Sequence, residues 1–185
     1  MSTKKIAVLI GSLRKESFNR KLAKVLTELA PPSLQLDIVE INSLPFYNED
    51  LDTANPPAPW QEFRQKVAAY DGLLFLTPEY NRSVPAVLKN ALDVGSRPYG
   101  QNVWNAKPAA VISLTLGALG GFGANHHLRQ SLTCLNVPVM QQPEVYIGNA
   151  PALFDDQGNL TNADTREFLN TIMQAFSTWV DKLSA

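Results

Sequence analysis

Five short apolar runs alternate along the chain with stretches whose apolar residues recur every three to four positions. Ile6-Ala7-Val8-Leu9-Ile10 within residues 5–10, Gly72-Leu73-Leu74-Phe75-Leu76-Thr77, and residues 109–114 are nearly continuously apolar. Such runs predict central strands covered on both faces. Residues 36–41, Leu-Asp-Ile-Val-Glu-Ile, alternate instead and predict an edge strand with one wet face. A fifth strand is expected from Val137, continued or extended by residues 144–147. The intervening spacing predicts helices over 18–29 (Leu22, Val25, Leu26 and Leu29 on one face), 60–70 (Trp60, Phe63, Val67), 85–95 with Pro85 in the first turn, and 124–136. Thr161-x-x-Asp164 resembles a capping box opening a last helix, whose stripe runs through Phe168, Leu169, Ile172, Met173, Phe176, Trp179, Val180 and Leu183. Strands separated by helices imply right-handed βαβ units. The expected architecture is a doubly wound α/β domain over residues 1–185, its five-stranded parallel sheet in the order 2-1-3-4-5 with helices on both faces. Ligands of such sheets bind beyond the carboxyl ends of the strands, near the switch point between strands one and three.

Composition narrows the partners. Net charge is −1 and the charges are scattered, so neither nucleic acid nor an anionic membrane is an expected partner. The longest weakly polar stretch, residues 109–122, is too short to span a bilayer, and no apolar leader precedes the first strand; a cytoplasmic protein is expected. Cys134 is the single cysteine, which excludes an internal disulfide and a multi-cysteine metal site. Lying between Leu132 and Leu135, it reads as a buried, inert thiol. His126 and His127 are adjacent and cannot share one helix face as metal ligands at i and i+4 would, so they read as surface or interface residues and no metal site is expected.

Three loops at the predicted carboxyl edge carry unusual sequences. After strand one comes Gly11-Ser12-Leu13-Arg14-Lys15-Glu16-Ser17-Phe18-Asn19, which sets hydroxyls, an amide and free backbone N–H groups at a helix N-terminus, a natural anion site. It has one glycine and is neither GxGxxG nor a P-loop. The same residues also suit an ordinary helix start capped by Ser17 or Asn19. After strand three comes Thr77-Pro78-Glu79-Tyr80-Asn81-Arg82-Ser83-Val84-Pro85, stiffened by prolines and able to face a flat heteroaromatic ring. After strand four comes Thr115-Leu116-Gly117-Ala118-Leu119-Gly120-Gly121, where glycines let backbone N–H groups approach a ligand. Together the loops describe a site for a mononucleotide with a planar ring.

Gly-Ser-Leu-Arg-x-x-Ser-x-Asn at 11–19, Pro-Glu-Tyr-Asn-x-Ser-x-Pro at 78–85 continuing into Leu88-Lys89-Asn90-Ala91-Leu92-Asp93, and the glycines of 117–121 resemble the NAD(P)H-dependent FMN reductase family, a flavodoxin-like group that includes bacterial chromate and quinone reductases. The resemblance runs from Lys5 to about Glu144. It implies that Ser12, Arg14, Ser17, Phe18 and Asn19 surround the FMN phosphate, that Pro78, Glu79, Tyr80 and Asn81 line the isoalloxazine through backbone donors, and that Thr115 and Gly117 approach its pyrimidine and ribityl side. Ser83 would bind the cofactor or fix the loop. It further implies a ping-pong oxidoreductase in which NADPH or NADH supplies hydride and a small-molecule acceptor, a quinone, chromate or free flavin, removes it. The flavin carries the chemistry, and no catalytic side chain is required. Arg82 or Arg97 would attract the nucleotide phosphate or an anionic acceptor, solvated surface arginines being the plain alternative. A flavodoxin-like electron carrier serving a protein partner is the other reading, disfavoured because carriers are usually strongly acidic. Two positions depart from the family pattern: Phe122-Gly123 where many members have Arg, and Val94 where many have Trp. A homodimer or homotetramer is expected, its interface near the flavin edge, because Val94, Tyr99 and Trp104 look hard to bury together.

Overall fold

The computed structural model describes residues 3–184. Its sheet is five-stranded and parallel throughout, in the order β2-β1-β3-β4-β5: β1 Lys4–Ile10, β2 Leu34–Ile38, β3 Gly72–Thr77, β4 Ala109–Leu114 and β5 Tyr146–Ile147. Helices α1 Phe18–Leu29, α2 Ala58–Ala68, α3 Ala86–Gly95, α4 Phe122–Cys134 and α5 Ala163–Leu183 cover both faces. The apolar runs explain why. Along β1, Ile6, Val8 and Ile10 join one core with α1 and α5, while Ala7 and Leu9 join another with α2, α3 and α4. β3 divides likewise, Leu74 and Leu76 to the first core, Leu73 and Phe75 to the second. A strand buried on both faces has no room for a polar alternation.

Several boundaries differ from the sequence expectation for local reasons. β2 starts two residues earlier and ends at Ile38 rather than residue 41, because Val39 and Ile41 turn away into the core beneath α2 and α3. The fifth strand is two residues long; Val139 makes only an isolated bridge to Ala109, since Pro138 offers no N–H and Pro143 interrupts the approach. α4 begins at Phe122, two residues before the expected start, capped by Gly121 at φ 75°, and stops before Asn136, which adopts the left-handed conformation at φ 57°. The cap of α5 is Asn162 rather than Thr161: its side chain accepts from Thr165 N at 2.8 Å.

Two other expectations are corrected. Cys134 is exposed, because α4 buries Leu128 and Leu132 and a residue two positions on projects to the opposite side. Val94 and Trp104 are fully buried, at 0% exposure, leaving Tyr99 alone outside at 93%. Trp104 fits because it lies against Gly95 and donates its indole N–H to Leu92 O at 3.0 Å, packing among Phe63 and Phe75.

Candidate functional site

The loops following β1, β3 and β4 emerge side by side because their strands are adjacent in the sheet. They enclose a cleft of about 140 Å³ lined by Ser12, Arg14, Ser17, Phe18, Asn19, Pro78, Glu79, Tyr80, Leu114, Thr115 and Leu116. A second cleft shares Glu79, Thr115 and Leu116 with it and extends over Arg82, Gly117, Leu119 and Gly121. Of the residues singled out from sequence, these clefts unite all except Asn81, Ser83 and Arg97. Asn81 and Ser83 belong to the turn that forms the wall. Arg97 does not line them: it follows the far end of α3, about 15 Å along the helix from Pro85. Leu114 and Leu116 are lining residues that polar motif reading passed over; their place at the end of β4 was the available signal.

The first loop gathers groups of a kind that suit an anion. Ser17 occupies the N-cap of α1 but makes no side-chain cap bond, so its buried hydroxyl is not spent on the helix. Asn19 is no cap either. It lies inside α1, 3% exposed, and donates Nδ2 to Leu114 O at 3.1 Å, joining the helix to the end of β4. That bond fixes the amide's orientation, because only its nitrogen can serve a carbonyl. Asn19 Oδ1 is left as the one buried side-chain polar atom without a partner among the described residues. A buried acceptor without a donor is costly. In a cleft wall, it is an acceptor that a ligand donor could satisfy.

The loop after β3 is a tight turn. Tyr80 N donates to Ser83 O at 3.1 Å and Ser83 N returns to Tyr80 O at 3.0 Å. Between them Asn81 and Arg82 both have positive φ, 51° and 64°, as a type I′ turn requires. The Glu79 side chain does not simply face the ligand. Its Oε2 accepts from Ala124 N at 3.0 Å at the start of α4, and its Oε1 from Arg82 Nη1 at 2.8 Å. Burial favours the neutral acid, but the bonds from Ala124, Arg82 and Gly123 outweigh it and hold the carboxyl below its ordinary range. Arg82 is thereby committed to an ion pair while remaining 73% exposed. From α4, His127 Nδ1 meets Ser83 Oγ at 3.0 Å, so Ser83 fixes the loop. Its neighbour His126 turns to the Tyr146 hydroxyl at 2.8 Å, beneath the exposed Phe122 ring.

Around the clefts Leu13, Tyr80, Leu116, Leu119 and Phe122 are all about half exposed or more. The arrangement offers hydroxyl, guanidinium and backbone donors at one end, and a flat apolar and amide wall at the other. Among the described residues no group of three or more acidic, histidine or cysteine side chains could hold a metal ion. No helix among the described residues is long and apolar enough to cross a membrane. The donor set and the orphaned Asn19 acceptor fit a phosphorylated, hydroxyl-bearing ligand with a planar ring, which is the chemistry of FMN.

Known proteins resemble this chain along nearly its whole length. A quinone reductase of Pseudomonas putida is 59% identical over 175 residues, covering 95% of this chain and 94% of the relative. A 2-hydroxy-1,4-benzoquinone reductase of a Burkholderia species is 48% identical over 176 residues, covering 95% and 96%. The solved structure of FerB, a flavoenzyme NAD(P)H:(acceptor) oxidoreductase of Paracoccus denitrificans, superposes with a TM-score of 0.91 at 40% identity, covering 97% of this chain and 98% of that one. The family model described as NADPH-dependent FMN reductase matches residues 4–152, which span all three cleft-lining loops. The chain belongs to the NADPH-dependent FMN reductase family.

Proposed function

We propose that the protein is an FMN-dependent NAD(P)H oxidoreductase that reduces quinones and related small acceptors in two-electron steps. The observation that carries this reading is the convergence of three loops on one cleft that pairs an anion cradle with a planar wall. Ser12, Ser17, Arg14 and the N-terminus of α1 would hold the phosphate, where helix N–H groups and a guanidinium favour negative charge. Asn19 has already committed Nδ2 to Leu114 O, and its open atom is an acceptor, so it suits a ribityl hydroxyl better than a phosphate oxygen. Pro78, Tyr80, Asn81, Thr115 and Gly117 would flank the ring. When bound, FMN supplies the hydride relay between nicotinamide and acceptor. The protein's part is to bind and orient it and to shield it along the apolar rim.

Chromate and free flavin belong to the same proposed acceptor class, and a cytoplasmic location and a homodimer or homotetramer complete the reading. The exposed rim of Leu116, Leu119 and Phe122 is the surface that a second copy would cover. Light scattering tests this: a mass near the 20.4 kDa of one chain would refute self-association. A protein-docking electron carrier is the weaker alternative, since a net charge of −1 gives little electrostatic steering. Heat release and chromatography should yield FMN, and steady-state rates should depend on it with NADPH or NADH across quinones, chromate and free flavin. FAD in the extract, no flavin after reconstitution, or no flavin-dependent turnover would overturn the proposal.

A further inference from the structure

Type I′ turns favour Asn-Gly at their two central positions, because both need a left-handed backbone. Here the pair is Asn81-Arg82, so an arginine at φ 64° stands where glycine is favoured. Asparagine visits this region at small cost; for arginine the Cβ clash with the following carbonyl is unrelieved. Something must hold it there. Beside the His127–Ser83 contact, Glu79 is the group that reaches Arg82 itself: one carboxylate oxygen takes Arg82 Nη1 and the other takes Ala124 N at the first turn of α4. The turn and the helix also approach too closely for a side chain between them. A Cβ on Gly123 would lie 2.9 Å from both Arg82 O and Glu79 Oε2. The turn and its tether therefore leave no room for a side chain at position 123.

We propose that Glu79 is a positioning residue that locks the Tyr80–Ser83 turn onto the N-terminus of α4, so that two ligand-facing loops move as one unit. The inference rests on the flavin reading, because that turn is the wall the ring would meet. Its carboxylate acts through Arg82 and Ala124 rather than on the ligand. The consequence is a specific coupling between Glu79 and the residue type at position 82.

The test is a double-mutant cycle on FMN affinity, followed by quenching of flavin fluorescence in the full-length protein. Glu79→Ala should raise the FMN Kd roughly tenfold, the scale set by freeing a left-handed non-glycine residue. In an Arg82→Gly background the turn becomes Asn-Gly and holds itself, so adding Glu79→Ala should change the Kd less than about threefold relative to Arg82→Gly alone. Glu79→Gln, which keeps an acceptor for Ala124 N, should recover part of the affinity lost in Glu79→Ala. Equal costs of Glu79→Ala in both backgrounds would mean that the carboxylate does not act through Arg82 and would overturn the proposal. No cost in either background would overturn it as well. Tyr80→Ala separates the two levels. If it alters flavin affinity while the cycle shows no coupling, only the tether falls; if it is silent, the turn does not face the flavin and both ideas fall together.

Discussion

Asn19 offers the sharpest test of whether the first loop is a ligand site or only a helix start. Asn19→Ala removes two things at once: the donor to Leu114 O at 3.1 Å and the orphaned Oδ1 in the cleft wall. Without FMN these act in opposite directions. Stranding the Leu114 carbonyl costs about 1–3 kcal/mol, while deleting an unsatisfied buried acceptor returns part of it, so a net loss of about 1 kcal/mol is expected. With FMN bound the orphan is satisfied, and the substitution removes a ligand hydrogen bond worth about 1.4 kcal/mol, or tenfold in Kd. At saturating ligand a tenfold weaker Kd subtracts about 1.4 kcal/mol from ligand-linked stability. For a chain of this length that is a loss of about 3–6 °C in the FMN-induced rise in Tm. Thermal unfolding with and without FMN gives the quantity directly. If Asn19→Ala lowers Tm equally in both conditions, so that the FMN-induced rise matches that of the unmodified protein, then Asn19 is only a strut between α1 and β4 and the ligand reading of its free oxygen is wrong.

Gly95→Ala should destabilise by about 1–3 kcal/mol, since its Cβ would sit 2.5 Å from Cε2 and Cζ2 of the buried Trp104 ring. A Tm within a degree of the parent, or an unshifted tryptophan emission spectrum, would contradict that packing argument. Acid should weaken the fold through Glu79. Its carboxyl is held below the ordinary range, so its contribution is present above the unfolded-state value and lost as pH falls through the folded one. Urea midpoints should therefore stay level with respect to this group from pH 7 to about 5 and fall below about pH 4, with a shallower fall in Glu79→Gln. An identical acid limb in both proteins would refute the assignment.

Much of the architecture was legible because it is set by local periodicity. α1, β3 and β4 begin and end where the apolar pattern places them, since a strand buried on two faces and a helix buried on one write different spacings into the chain. The adjacency of the three loops followed from strand order alone. What the pattern could not supply were outcomes of packing between distant segments. Trp104 and Val94 looked like surplus apolar surface because the accommodating contact, the bare face of Gly95, is a spatial neighbour with no periodic signature. Cys134 looked buried by its flanking leucines, whereas the rotation of α4 on the sheet decides which side each residue takes. The same holds in the site. The family resemblance implied that Glu79 and Asn19 face the ligand. Only the tertiary structure committed one carboxylate to a helix N-terminus 45 residues away and one amide to a strand carbonyl 95 residues away. Hydrogen bonds between segments so far apart depend on where the whole sheet puts its loop ends, and no local window of sequence contains that information.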